Sequence, residues 1–152
     1  MKTYLVINGP NLNNLGKRDS SVYGSITLPE IQDKISALAT KLGVKVEFFQ
    51  SNFEGALIDY IQERAITATG IIINPGALTH YSYSLMDALA DQDVPIVEVH
   101  ISDIYSREEF RRHSVIKDIA SKQITGHGWK GYMEALEYLV TDLATDNRNR
   151  PD

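Results

Sequence analysis

The sequence predicts an α/β domain: an open five-stranded parallel sheet with helices on both faces. Two observations predict it. Short β-branched runs alternate with longer stretches whose apolar residues recur every three or four positions. The middle runs, such as Ile71-Ile72-Ile73, are continuously apolar, as strands covered on both faces are. The chain of 152 residues suits one domain, a size that buries roughly 68–70% of its unfolded surface. We assign 1–146 to a single domain and 147–152 to a polar tail expected to fray.

In order, strands are expected from Tyr4 to Asn8, Val44 to Gln50, Gly70 to Asn74, Pro95 to His100 and Lys122 to Thr125. Between the first two, Leu28, Ile31, Ile35, Leu38 and Leu42 mark one face of a helix. Thr27 followed three positions later by Glu30 is a capping box that opens it, and Gly43 stops it. Ser51 with Glu54 and Ser106 with Glu109 repeat the capping spacing, which predicts helices beginning near Asn52 and Arg107. Trp129, Met133, Leu136, Val140 and Leu143 predict a long amphipathic helix near the C-terminus.

Composition removes several function classes. No apolar run approaches the ~20 residues of a membrane span. The absence of cysteine excludes disulfides, zinc ribbons and thiol nucleophiles. The Leu5-Val6-Ile7 run is too short for a signal-peptide core, so a cytoplasmic location is expected. A net charge of −5 gives no basic field for nucleic acid. There is no H-E-x-x-H, and His80 and His100 lack a local partner at ligand spacing, so no metal is expected. Asn8-Gly9-Pro10-Asn11 is not G-x-G-x-x-G and there is no P-loop, so no nucleotide cofactor is expected either.

In an open parallel sheet, ligands bind beyond the carboxyl ends of the strands, where strand order reverses. Those ends carry Gly9 to Asn13, Ser51-Asn52, Pro75 to His80 and Ile101 to Asp103. The first loop runs through Gly16-Lys17-Arg18 to Val22-Tyr23-Gly24, with glycine and proline at its edges, as in a lid that closes over a site. Its alternative is a plain surface loop on which Tyr23 packs. Asn74 and His80 offer both donors and acceptors to a sugar-like ligand; the alternative is an Asx turn and a helix cap. Glu98 and His100 share one side of an extended strand, so the carboxylate can orient the imidazole and favour its protonated form, as a general acid needs. Arg107 and Arg111, one helical turn apart, can both aim at an anion or a phenolate. The alternative there is a solvated helix on which Glu108 pairs with Arg112. His113 and His127 are read as structural or exposed.

Taken together, these segments resemble the type II 3-dehydroquinate dehydratases over nearly the whole chain. The family's N-G-P-N-L stands at Asn8 to Leu12, its G-x-R and V-Y-G at Gly16 to Arg18 and Val22 to Gly24, and its N-P-G-x-x-T-H at Asn74 to His80. E-V-H-I-S is Glu98 to Ser102, R-x-E-F-R-x-H-S is Arg107 to Ser114, and G-x-G-x-x-G-Y is Gly126 to Tyr132. The resemblance implies a flavodoxin-like fold and cofactor-free anti elimination of water from 3-dehydroquinate, through an enolate, to 3-dehydroshikimate in the shikimate route. It also implies a homododecamer built from trimers. By position, Tyr23 takes the C2 proton, Arg18 helps keep it as phenolate, and Arg107 supports it. Asn11 stabilises the enolate through a water, and His100, oriented by Glu98, protonates the leaving hydroxyl. Asn74, Ile101 and Ser102 hold the carboxylate, His80 and Arg111 hold ring hydroxyls, and Asp87 comes from a neighbouring subunit.

Chemistry makes such a site reasonable. A proton α to a ketone is weakly acidic, so it needs a strong base and a stabilised enolate oxygen. A tyrosine with the reference pKa of ~10 is phenolate in only about one molecule in a thousand at neutral pH, which calls for cations close to its oxygen. The chain departs from the family at Asn13-Asn14, Asp19-Ser20, Leu78 and Tyr81; none of these removes a catalytic group. Two other readings stay open on sequence grounds: a non-catalytic module that binds a small anion, and an enzyme acting on another hydroxy-ketone acid.

Overall fold

All five strands form within one residue of their expected bounds: β1 (Thr3–Asn8), β2 (Lys45–Gln50), β3 (Gly70–Asn74), β4 (Ile96–His100) and β5 (Lys122–Thr125). The computed structural model describes residues 1–143, so the tail expected at 147–152 lies outside the described residues. The strands are parallel in the order β2-β1-β3-β4-β5. Strand alternation sorts their side chains into two cores. Tyr4, Val6, Ile72, Val97 and Val99 pack with residues of α2 (Leu28–Leu42) and α5 (Lys130–Glu137). Leu5, Ile7, Ile71, Ile73 and Ile96 pack with α3 (Glu54–Arg64) and α4 (Tyr83–Ala90). β3 and β4 are buried throughout, which explains the unbroken apolar run Ile71-Ile72-Ile73 and leaves Glu98 and His100 as buried polar groups on β4. Among the described residues, no helix is long and apolar enough to cross a membrane.

Thr27 caps α2, and Gly43 ends it in the left-handed conformation, as the sequence predicts. Two helix expectations are corrected. α3 starts at Glu54, with Phe53 rather than Ser51 at the cap. Strand pairing extends into Ser51, whose N–H donates to the Asn8 carbonyl, while Asn52 Oδ1 accepts from the Asn11 N–H at 2.9 Å. These long-range bonds hold the segment extended and delay the helix. Beyond β4, the helix expected from Arg107 is replaced by two 3₁₀ turns, Ile104–Ser106 and Glu109–Arg112. Arg107 between them is extended, with φ −99° and ψ −160°. Ser106 donates its hydroxyl to the Asp103 carbonyl and caps no helix, and Glu108 pairs with Arg111 instead of Arg112. The long C-terminal helix forms as the sequence predicts: α5 runs on without a break into a π turn, Tyr138–Asp142, and Trp129, Met133, Leu136, Val140 and Leu143 all pack against the core. The wider turn buries Leu139 more deeply than Val140. A short helix not foreseen from the sequence, α1 (Ser20–Tyr23), carries the tyrosine of the first loop.

The strand order reverses between β1 and β3, so a crevice opens beyond Asn8 and Asn74. There the two following loops touch: the Gly9 N–H donates to the Asn74 carbonyl at 2.8 Å. A Cβ on Gly9 would lie 2.5 Å from the Pro75 carbonyl oxygen, so only glycine allows this approach.

Candidate active site

A cavity of about 120 Å³ lies in this crevice. It is smaller than the ~300–1,000 Å³ of drug-sized ligand pockets and so suits a compact solute. Of the residues singled out from the sequence, Asn11, Arg18, Tyr23, Asn74, His80, His100, Ile101, Ser102, Arg107 and Arg111 line it. Glu98 stands behind His100, and Asp87, exposed on α4, is not among the lining residues. Three arginines thus concentrate positive charge at one place on a chain of net charge −5, a local field suited to a small anion. No lysine lines the cavity. Among the described residues, no group of three or more His, Asp or Glu could hold a metal ion.

Tyr23 is brought to the cavity by α1, whose start is fixed by Asp19. The Asp19 carboxylate accepts from the Ser21 N–H at 3.0 Å and the Ser21 hydroxyl at 2.6 Å. Those bonds hold the Asp19 carboxyl below its ordinary range and account for aspartate at this departure from the family pattern. The two arginines meet Tyr23 differently. Arg107 Nη1 donates to Tyr23 Oη at 3.0 Å, whereas the Arg18 guanidinium lies over the ring face, 3.7 Å from its centroid. The extended backbone at Arg107 lets the same nitrogen reach Ser102 Oγ at 3.3 Å, leaving the Ser102 proton for a ligand.

His100 Nε2 bonds Glu98 Oε2 at 2.5 Å, and both are buried. Thr79 Oγ1 donates to the same carboxylate at 2.6 Å and Ser114 Oγ at 2.9 Å. Burial pushes the Glu98 carboxyl up, but the hydrogen bonds and charge of His100, with those of Thr79 and Ser114, hold it below the usual carboxylate range. It therefore stays anionic and fixes the imidazole, leaving Nδ1 for the cavity. His80 is held by Nδ1, 2.7 Å from the His113 carbonyl, with Nε2 left over. Burial keeps its pKa below the ordinary histidine value, so it is neutral at pH 7 and can accept a hydroxyl proton.

Asn11 is the one non-glycine among the described residues with positive φ, at 72°. Asn tolerates this region better than most residues. The Asn11 N–H is held by Asn52, which with the Gly9 carbonyl accepts from Gln50 Nε2. Gln50, Asn52, Thr79 and Ser114 are parts of the site to which the sequence assigned no role. Ser51-Asn52 does fall at a strand's carboxyl end, which is the signal that could have found it.

The model of the family Dehydroquinase class II matches residues 2–140. The chain belongs to that family. A 3-dehydroquinate dehydratase of Herpetosiphon aurantiacus is 52% identical over 136 residues, which cover 90% of this chain and 94% of that protein. The catabolic 3-dehydroquinase 2 of Neosartorya fischeri is 50% identical over 94% of this chain and 95% of its own. The crystal structure of the type II dehydroquinase from Butyrivibrio crossotus aligns with a TM-score of 0.89 at 46% identity, covering 91% of this chain and 97% of that one. The flavodoxin-like fold expected from the resemblance is therefore the fold of the family.

Proposed function

We propose that the chain is a type II 3-dehydroquinate dehydratase that eliminates water in the anti sense through an enolate, giving 3-dehydroshikimate. The observation that carries this reading is the bond from Arg107 to Tyr23 Oη, in the same cavity as an imidazole anchored on a buried carboxylate. Tyr23, as phenolate, takes the C2 proton, and the guanidinium of Arg107 stabilises the charged oxygen beforehand. Arg18 adds positive charge over the ring. Negative charge then develops on the ketone oxygen, where Asn11, through a water, stabilises it. His100, with Nε2 on Glu98, gives its Nδ1 proton to the departing C1 hydroxyl, which leaves as water. Asn74, the Ile101 and Ser102 backbone and the Ser102 hydroxyl hold the carboxylate; His80 and Arg111 hold ring hydroxyls.

We place the enzyme in the cytoplasm and assign it a dodecamer built from trimers, in which Asp87 reaches a neighbouring site. The exposure of Asp87 on α4, beside Tyr81 and Tyr83 at 63% each, supports this assignment. The test of the function is turnover: purified protein given 3-dehydroquinate should generate the enone absorbance of the product. Turnover of other hydroxy-ketone acids in preference, or binding without turnover, would overturn the assignment.

A further inference from the structure

The buried tyrosine Tyr132 of α5 lies outside the cavity lining, yet its hydroxyl touches a residue that belongs to it. Asn8 and Asn74 are register partners at the ends of β1 and β3, so both amides emerge on the same face of the sheet, toward α5. Asn74 Nδ2 donates to Tyr132 Oη at 3.0 Å, and Tyr132 Oη donates to Asn8 Oδ1 at 2.6 Å. The third bond sets the direction of the chain: Asn74 Oδ1 accepts from the Gly76 N–H at 3.1 Å. With its oxygen committed there, Asn74 must turn its NH₂ toward Tyr132. The phenol oxygen must then accept, and its own proton must go to Asn8.

We propose that Tyr132 is a positioning residue for the reaction: with Asn8 behind it, it locks the Asn74 amide so that an N–H faces the substrate carboxylate. Asn8 supports this in a way packing does not. Its side chain is fully buried, yet Nδ2 finds no hydrogen-bond partner among the described residues. A buried orphan donor is unfavourable, and an apolar residue would serve the core better. Asn8 is therefore kept for its oxygen. Burial also pushes the Tyr132 hydroxyl well above the ordinary tyrosine value, so it stays protonated and directs the chain one way across the working pH range.

The proposal rests on the dehydratase reading for its kinetic arm but not for its spectroscopic one. Tyr132→Phe removes one oxygen and keeps the ring. The KM for 3-dehydroquinate should rise about tenfold, the worth of one hydrogen bond, with kcat within about twofold and the pH profile unmoved. In an Asn74→Ala background the same change should leave KM where it is, because the residue it acts through is gone. Asn8→Ala, which frees the Tyr132 proton to turn toward Asn74, should raise KM in the same direction. Independently of turnover, the Asn74 side-chain NH₂ should exchange slowly with solvent in the unmodified protein and faster in both variants, by NMR. A lowered Tm with KM and Asn74 exchange unchanged would overturn the proposal and leave Tyr132 a core residue. An unmodified protein inert toward 3-dehydroquinate would refute the dehydratase reading, and the exchange measurement would still decide the positioning role.

Discussion

Arg107 and Arg18 face Tyr23 from different sides, and the difference is measurable. Arg107 donates to the oxygen that carries charge in the proposed mechanism, so Arg107→Ala should lower kcat strongly. Arg18 lies over the ring, so Arg18→Ala should lower kcat less. A larger loss from Arg18→Ala would reverse the two roles. Glu98 provides a second test. Its folded carboxyl is held below the unfolded value near ~4.3, so its contribution to stability is complete above that pH and is lost as pH falls through the folded value. Acid titrations followed by circular dichroism should show Glu98→Gln losing less stability below about pH 4.3 than the unmodified protein. Equal acid slopes would mean that the bonds from His100, Thr79 and Ser114 do not favour the anion. The Glu98–His100 pair was legible in the sequence because a strand's period of two puts both on one side. The Tyr23–Arg107 bond was legible only by resemblance, since it spans 84 positions.

The loops after β1 and β3 are built against each other. Gly76 has φ +60°, and a Cβ there would lie 2.9 Å from the Pro10 carbonyl oxygen; Gly9 is tighter still against Pro75. Gly9→Ala should therefore cost about 1–3 kcal/mol, lowering Tm by ~2–4 °C per kcal/mol, and should raise KM by spreading Asn11 from Asn74. An unchanged Tm would show that the loops yield freely. Strands and the α2 caps were readable because they depend on local pattern. The helix starts at Ser51 and Ser106 misled for the opposite reason. Their capping signatures are local, but the segments are engaged by partners distant in sequence: the Ser51 N–H by the Asn8 carbonyl, and the side chains of Asn52 and Arg107 by Asn11 and Tyr23. Both misreadings fall in the site, where tertiary bonds outweigh a capping preference of ~1 kcal/mol.

Across the whole molecule, a net-negative chain places three arginines around one small cavity with no lysine in its lining. Schiff-base chemistry needs a lysine nucleophile, so borohydride added with substrate should leave activity intact; covalent trapping would sink the enolate route. Asp87 is exposed and does not line its own cavity. If a neighbour's Asp87 completes each site, Asp87→Ala should raise KM and loosen the assembly, and a fully active monomer by light scattering would refute that arrangement. Assembly could not be read from local pattern, because exposed Tyr81, Tyr83 and Phe53 look alike whether they face solvent or a second copy. Tyr23 as the base is tested by single-turnover and steady-state kinetics of Tyr23→Phe with 3-dehydroquinate. The variant should show kcat lower by at least ~10²–10⁴, the span typical of positioned acid–base groups, with substrate binding little changed. Near-normal turnover by that variant would rule Tyr23 out as the base.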